Sequence, residues 1–302
     1  MKQLELFPDL SIKEDDRLYI VGNGFDIYHG IESKYWDFKK WVQKNRKDSH
    51  LVGLMDTFFS NDREFWGDIE NALGEYDEEV ITDFCEPENP EDFKYEHPTQ
   101  WQAGVEDSIP YMFGQTMDEF RDAFDEWVRS IDIRGIETDL FIPKMAKYLT
   151  FNYTETLENG YGVSVNNVLH IHGSRLVAGD EFVIGHGTLR DSEEPFLDDA
   201  HLLPYQNAFS SVIEIMNEWR KDPEHQIKKN ETFFKSLSTI KGVCVLGVSY
   251  SSIDKPYLEA VAQSVASDCK WILKYFSDND LMNAENTANE LGLKDCTFTR
   301  FE

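Results

Sequence analysis

The residues best suited to chemistry lie in short polar segments that follow apolar runs. The first segment contains Gly22, Asn23, Gly24, Phe25 and Asp26, and is followed by Gly30. Glycines at this spacing permit a tight turn whose backbone N–H groups can approach a phosphate. The spacing departs from the G-x-G-x-x-G of dehydrogenases, and helix-like sequence stands where an acidic residue would end a second strand. We therefore exclude a hydride-transfer enzyme.

An amide and three imidazoles follow later apolar runs. Asn152 follows KYLTF, and its amide can orient a water molecule or a ribose hydroxyl, although with Glu155 it also fits a helix N-cap. His170 and His172 are two residues apart, so on a strand both side chains lie on one face. His172 is the better catalytic candidate, because it is nearer the strand end and a glycine follows it. The third imidazole, His186, lies between two glycines.

A hydroxyl-rich segment, VSYSSID at 248–254, is the last of the set. Ser249 within it can hydrogen-bond to a sugar or a phosphate. The same residues also fit turn and helix-capping chemistry, so both interpretations stay open.

Short β-rich runs alternate with helical stretches around these segments, which is typical of a parallel α/β sheet. We predict strands at 17–21, 147–151, 168–172, 181–185, 243–247 and 270–276, and helices at 34–46, 208–221, 231–240, 256–267 and 280–291. Open parallel sheets bind ligands beyond the carboxyl ends of their strands, so the polar segments are expected at one edge. The predicted fold class is α/β, a Rossmann-like, doubly wound, mostly parallel sheet with an acidic helical insertion.

The insertion is expected at 51–140, between core segments at 15–50 and 141–302, where it would act as a lid or partner surface. Residues 56–140 hold 25 acidic and 5 basic side chains.

Two apolar patterns within the insertion predict helices. In DREFWGDIENALG (62–74), four-residue apolar spacing predicts an amphipathic helix that the final glycine ends. Thr116 and Glu119 form a capping-box pattern that predicts the start of a second helix. The acidic, proline-rich segment at 85–98 predicts a surface loop between them.

The composition excludes several classes of protein. With 29 basic against 57 acidic side chains, the net charge is -28, so the overall field repels polyanions and bulk nucleic acid is not an expected partner. Four widely spaced cysteines without a C-x-x-C pair suit a reducing compartment. A leader-like N-terminus and runs of 18 apolar residues are absent from the sequence, so we expect no membrane partner and a cytoplasmic location.

Taken in chain order, these segments resemble the bacteriophage abortive-infection AbiH family and, more distantly, sirtuin-like domains. The opening VGNGFDIYHGI is similar to the sirtuin G-A-G-x-S-x-x-x-G-I-P, with Asp26 in place of Ser and Glu32 in place of Pro. The other similar segments are TFNYT (150–154) with T-x-N-x-D, IHGS (171–174) with the histidine-glycine motif, LGVSYSSID (246–254) with the glycine-serine loop, and the AbiH-like WGDIENALG (66–74).

The resemblance implies an anti-phage protein that hydrolyses the nicotinamide N-glycosidic bond of NAD. NAD is then a substrate, with neither a tightly bound cofactor nor a metal. A peptide deacylase is disfavoured because the zinc-ribbon cysteines of those sirtuins are missing. A phage-derived trigger and a homo-oligomer are the other expected partners.

The same resemblance assigns roles to the polar residues. Asn152 orients water against C1′, and His172 accepts a proton through a ribose hydroxyl. Ser249 and Gly247 bind the adenine-side ribose or phosphate. The glycine-rich segment holds the pyrophosphate and shields the nicotinamide ribose, with Asp26 against the cationic nicotinamide ribosyl group.

Two other functions stay open. A metal-dependent phosphoesterase would use Asp26, Asn152, His170, His172 and His186 as oxygen and imidazole ligands, although the ordered D-x-H, G-N-H-D and G-H-x-H motifs are absent from the sequence. A non-catalytic nucleotide sensor would use the same pocket to regulate the acidic insertion or a partner.

Overall fold

The computed structural model describes residues 4–7, 11–59, 65–86, 93–192 and 203–301. Its strands are β1 (Leu4–Glu5), β2 (Arg17–Val21), β3 (Leu140–Phe141), β4 (Lys147–Thr150), β5 (Val168–His170), β6 (Gly242–Leu246), β7 (Lys270–Tyr275) and β8 (Cys296–Arg300). Its α-helices are α1 (Asn23–Tyr28), α2 (Tyr35–Asn45), α3 (Leu51–Phe58), α4 (Ile69–Leu73), α5 (Glu78–Cys85), α6 (Phe93–Glu96), α7 (Pro98–Ser130), α8 (Leu203–Glu218), α9 (Pro223–Lys229), α10 (Glu231–Lys235), α11 (Lys255–Ser264) and α12 (Asp278–Glu290). Shorter turns of 3-10 helix lie at Glu14–Asp16, Val165–Asn167 and Ser236–Thr239, and a π-helix lies at Thr156–Gly160.

A six-stranded parallel sheet has the order β5-β4-β2-β6-β7-β8. Numbered along the chain within this sheet, the order is 3-2-1-4-5-6, which is that of doubly wound dinucleotide-binding folds. The predicted Rossmann-like α/β class is therefore confirmed. The order reverses between β2 and β6, which pair from Arg17↔Gly242 to Val21↔Leu246. The glycine-rich segment that follows β2 thus lies at the topological switch point.

Apolar side chains cover both faces of this sheet. The central strands β2 and β6 are buried along their whole length. Alternate residues of β2 point to opposite faces, so Leu18 packs with Leu258 of α11 on one side. On the other side Tyr19 packs in a cluster with Phe25 of α1 and Leu157 of the π-helix.

The chain forms two compact units. The first holds the six-stranded sheet and comprises Met1–Lys34, Val128–Val183 and Asp222–Glu302; the second is helical and comprises Tyr35–Trp127 and Ile184–Lys221. Our expected boundaries placed 35–50 and 184–221 with the core, whereas these residues cluster in the second unit. The physical reason is aromatic packing within that unit, where the ring centroids of Phe38 and Phe120 lie 5.4 Å apart and those of Trp219 and Phe120 lie 5.6 Å apart.

The predicted strands at 17–21, 147–151, 168–172, 243–247 and 270–276 are confirmed to within two residues. The strand expected at 181–185 is wrong, because these residues are irregular and the following His186 forms an isolated bridge with Arg220. A Cβ at Gly185 would lie 1.8 Å from the carbonyl oxygen of Trp219, so this segment packs against a helix end instead of a strand. Strand β8 was not predicted; it lies at the edge of the sheet, and its burial is only partial.

The helix start expected at Thr116 is also wrong. Thr116 lies inside α7, a helix of 33 residues, and its hydroxyl donates 3.0 Å to the carbonyl of Met112. A threonine can cap the start of a helix, and within a helix it can donate its hydroxyl to the carbonyl four residues earlier. Local sequence therefore does not distinguish a helix start from a helix interior at this position. No helix in the described ranges combines the length and the apolar character needed to cross a membrane.

The other predictions for the insertion are met in part. Helix α4 is shorter than the predicted helix; the Asp68 side chain caps its first turn, and it ends at Gly74. Residues 62–64 of the predicted helix lie outside the described residues. In the segment expected as a loop, α6 occupies Phe93–Glu96, and residues 87–92 lie outside the described residues.

Candidate functional site

The glycine turn after β2 packs directly on the segment after β6. A Cβ at Gly22 would lie 2.5 Å from the carbonyl oxygen of Gly247, and one at Gly24 would lie 2.7 Å from the Gly247 Cα. Gly247 has φ +68, and a Cβ there would lie 2.4 Å from the backbone nitrogen of Phe25. These glycines are needed because two backbones meet at the switch point.

Several donors of this turn already have partners within the protein. The Gly22 N–H donates to the Leu246 carbonyl at 2.9 Å, and the Gly24 N–H donates to the Gly247 carbonyl at 2.9 Å. The Phe25 N–H donates to the Gly22 carbonyl at 3.0 Å. These three N–H groups therefore join the turn to β6 and close it on itself.

The side chains of the turn also have contacts within the protein. Asn23 Nδ2 donates to the Ser33 carbonyl at 2.9 Å, and the Ser33 hydroxyl donates back to Asn23 Oδ1 at 2.7 Å. Phe25 is fully buried in the core, with its ring 5.8 Å from that of Tyr161. Gly30 ends the turn that follows α1; it has φ +71, and a Cβ there would lie in open space. Asn23, Phe25 and Gly30 thus shape the segment from within.

Asp26 is a buried carboxylate at the carboxyl edge of the sheet. It is 1% exposed, its Oδ1 accepts the Thr156 hydroxyl at 2.8 Å, and its Oδ2 accepts the Thr154 hydroxyl. Burial raises the pKa of Asp26 above its ordinary value, although the two threonines, the charge of His29 and the Asn152 amide oppose this rise. The structure thus brings Asp26 and Asn152 together.

Asn152 lies where the chain leaves β4, and it is 6% exposed. Its backbone N–H donates to the Thr150 hydroxyl at 3.1 Å, and its carbonyl accepts His170 Nδ1–H at 2.7 Å. Its side-chain oxygen Oδ1 is buried without a hydrogen-bond partner. An unpaired buried acceptor is costly, so this oxygen is a candidate contact for a ligand or a water molecule.

His170 joins Asn152 to a second buried carboxylate. His170 Nε2 lies 2.8 Å from Glu158 Oε1, so both ring nitrogens face oxygen acceptors. Burial opposes a charge on the ring, but the hydrogen bond and charge of Glu158, with the Asn152 carbonyl, hold the pKa of His170 above its ordinary value. An imidazolium, with two N–H donors, satisfies both acceptors.

Sequence reasoning missed Glu158 and Thr156 because a π-helix presents them. This turn begins after Glu155 and buries Thr156, Leu157 and Glu158 in succession. π-Helical turns are rare and often lie at functional sites. Apolar periodicity does not reveal such a turn; the cluster of polar residues in NYTETLENG is the available signal.

His172 lies at the end of the neighbouring strand with different contacts. It is 3% exposed, and its ring centroid is 5.2 Å from that of Phe151 and 5.4 Å from that of Tyr257. His172 Nε2 lies 3.7 Å from Asp254 Oδ1. Asn152 therefore belongs to the polar group around Asp26, whereas His172 packs among aromatic rings with a carboxylate nearby. Asp254 and Tyr257 were not predicted as site residues.

An ion pair braces the segments that carry Asn152 and His172. Arg175 makes a two-point contact with Glu155, its Nη2 donating to Oε1 at 2.8 Å. The same guanidinium donates to the carbonyls of Val128, at 3.2 Å, and Ile131. Burial opposes the charge of Glu155, but the hydrogen bonds and charge of Arg175 hold its pKa below the ordinary value. This contact fixes two site loops against the end of α7.

The loop after β6 contains a strained residue next to an exposed hydroxyl. Ser249 is exposed, and Tyr250 has φ +57, the left-handed region that bulky residues rarely adopt. The Tyr250 hydroxyl donates to the Lys274 carbonyl at 3.0 Å. Such outliers concentrate at functional sites, and this one directly follows the exposed Ser249.

His186 lies in the second unit as a satisfied core residue. It is 1% exposed, its Nε2–H donates to the Met216 carbonyl at 2.8 Å, and its Nδ1 accepts the Thr188 N–H at 3.2 Å. Burial lowers the pKa of His186 below its ordinary value. Among the described residues, groups of three or more His, Cys, Asp or Glu side chains able to hold a metal ion were not found.

A family model described as Bacteriophage abortive infection AbiH matches residues 18–275. The match therefore extends from β2 to the end of β7 and includes every site residue described above for the first unit. A search of curated proteins found no match.

Proposed function

The chain belongs to the bacteriophage abortive infection AbiH family, and we propose that it hydrolyses the nicotinamide N-glycosidic bond of NAD. Family membership indicates a role in anti-phage abortive infection. Loss of NAD from an infected cell would be the chemical event behind that role. The strand order 3-2-1-4-5-6 supports a nucleotide ligand, since such folds bind nucleotides at the switch point.

The observation that carries the proposal is the unpartnered Oδ1 of Asn152. Asp26 and the His170 contact fix the Asn152 side chain and backbone, so its free oxygen is pre-organised as an acceptor. In the proposed reaction it accepts a hydrogen bond from water and directs the water oxygen at C1′. Positioning of this kind lowers the barrier without covalent chemistry by the protein.

The reaction balances without an added oxidant or reductant. The bond between C1′ and the nicotinamide nitrogen breaks, and its electron pair stays on nicotinamide, which leaves as a neutral molecule. Water adds to C1′ of the oxocarbenium-like sugar, and its proton passes through a ribose hydroxyl to His172. Imidazole is the side-chain group that most often carries out this kind of proton transfer. The carboxylate of Asp254, with Oδ1 3.7 Å from His172 Nε2, would stabilise the imidazolium that forms.

The remaining residues support Asn152, shape the switch point and bind the nucleotide. Both carboxylate oxygens of Asp26 accept threonine hydroxyls, so in this proposal Asp26 acts through Asn152 instead of touching the nicotinamide riboside. Gly22, Gly24 and Gly247 let the loops after β2 and β6 approach each other closely at the switch point. The N–H groups of Gly22, Gly24 and Phe25 are hydrogen-bonded within the protein. In this proposal the exposed Ser249 therefore donates its hydroxyl to ribose or phosphate.

The test is release of nicotinamide from NAD by the purified full chain, alone and with phage lysate. We expect Asn152→Ala and His172→Ala to lower the rate by about a hundredfold or more each. Asn166→Ala and His225→Ala, at exposed positions, should keep the wild-type rate. Thermal unfolding of each variant checks that it is folded.

Two outcomes would contradict the proposal. One is the absence of nicotinamide release under all conditions, including phage lysate. The other is full turnover by the Asn152→Ala/His172→Ala double variant. Tight binding of NAD without release would favour the nucleotide sensor instead.

A further inference from the structure

We infer that Phe276 is the surface on which the adenine base of the nucleotide stacks. The inference rests on the proposed function and adds the residue that recognises the base. Phe276 directly follows Tyr275, the last residue of β7, so it lies at the carboxyl edge of the sheet. It is 38% exposed. An aromatic ring left open at this edge is available to a planar ligand.

The ring borders the switch point. A Cβ at Gly24 would lie 2.9 Å from Phe276 Cε2, so the edge of the ring meets the backbone of the glycine turn. Strand β7 pairs with β6, which pairs with β2. Asn152, after β4, and Phe276, after β7, therefore lie on opposite sides of the switch point, so a ligand that crosses it extends toward both.

The surrounding structure holds the ring in one place. The Phe276 centroid lies 5.1 Å from that of Phe301 at an interplanar angle of 88°, and Phe301 packs on Tyr28. The next residue, Ser277, is fixed by a reciprocal capping box with Asp280 at the start of α12. A ring fixed before binding loses little further entropy when a base stacks on it.

The local charge favours a base over a phosphate at this position. Asp278 and Asp280 lie in the first turn of α12, where their carboxylates repel a phosphate group but not an uncharged purine. The exposed Ser249 follows the adjacent strand β6. Ribose or phosphate can thus be bound by the hydroxyl-rich loop while the base lies on the aromatic ring.

Calorimetric titration, carried out in the Asn152→Ala background wherever turnover consumes the ligand, tests this assignment with NAD, ADP-ribose and nicotinamide mononucleotide, which lacks adenine. We expect Phe276→Leu, which keeps an apolar side chain against Phe301, to weaken NAD and ADP-ribose binding by about five- to a hundredfold. Phe276→Trp should retain it, and binding of nicotinamide mononucleotide should not change. Phe141→Ala, at a residue of β3 with a similar exposed fraction of 36%, is the matched control.

The outcomes separate the inference from the proposed function. If wild-type protein binds NAD and ADP-ribose and Phe276→Leu binds them equally well, the stacking assignment is overturned and the proposed function is untouched. If Phe276→Leu weakens nicotinamide mononucleotide to the same degree, the effect is not on the base, and the assignment is again overturned. If the wild-type protein binds neither NAD nor ADP-ribose and releases no nicotinamide, the proposed function itself fails.

Discussion

Asp26 and Glu158 are buried carboxylates that the protein stabilises in different ways. Asp26 accepts hydrogen bonds from two threonine hydroxyls. Glu158 instead contacts Nε2 of the His170 imidazole. Removing a charge from water is expensive unless hydrogen bonds replace the lost hydration. The polar residues near Asn152 are therefore interdependent, and their hydrogen bonds to one another leave the buried Oδ1 of Asn152 without a partner.

The pairing of His170 with Glu158 predicts a pH dependence of stability. The folded state raises the pKa of His170 above its ordinary value of 6.5. A raised histidine pKa stabilises the fold fully below the unfolded-state value, and this stabilisation is lost as pH rises through the folded-state pKa. We expect the free energy of unfolding of wild type to fall across that interval, and that of Glu158→Gln to fall less.

Urea unfolding from about pH 5.5 to about pH 9 measures this difference. Glu126→Gln removes a carboxylate whose side chain is 59% exposed, so its profile should parallel that of wild type. Parallel profiles for wild type and Glu158→Gln would show that the pair contributes no pH-dependent stability.

Glycine allows close contact between the two segments that follow β2 and β6. Gly247 combines φ +68 with a backbone atom 2.4 Å from the place a Cβ would occupy. Gly135 has φ +75 but open space around it. The two positions therefore separate the cost of the backbone conformation from the cost of the steric overlap.

Alanine substitution at Gly135 and at Gly247 measures the cost of the backbone conformation and the cost of the steric overlap. Gly135→Ala should lower the free energy of unfolding by about 1–2 kcal/mol, the cost of a left-handed conformation. Gly247→Ala should lose about 1–3 kcal/mol more, because the overlap displaces backbone that cannot move independently. Urea titration reports both values, and equal losses would contradict the close packing of the two loops.

At the scale of the whole molecule, the net charge of -28 sets the long-range field. The acidic residues repel one another in the folded state, and salt screens this repulsion. We expect the midpoint of thermal unfolding to rise as sodium chloride increases from about 10 mM to about 300 mM. Sucrose at equal osmolality is the control for excluded solute, and an unchanged or lower midpoint in salt would disprove the repulsion.

Local sequence was sufficient for five of the six strands of the parallel sheet and for the edge where most of the polar residues lie. Short β-rich runs such as 17–21 and 243–247 identified central strands, because strands buried on both faces are apolar throughout. The resemblance to AbiH came from segments such as 150–154 and 171–174. Local patterns failed at 181–185 and at Thr116, where contacts with distant parts of the chain determine the conformation.

Only the tertiary structure decided which side chains meet. Sequence placed Asn152 and His172 after neighbouring strands, but the fold paired Asn152 with Asp26 and set His172 beside Phe151 and Tyr257. The glycine turn illustrates the same limit: its spacing predicted close approach of a backbone, and the backbone that approaches is that of Gly247. Residue type and spacing determine a local conformation, whereas partners more than a hundred residues apart are brought together by the order in which the strands pair.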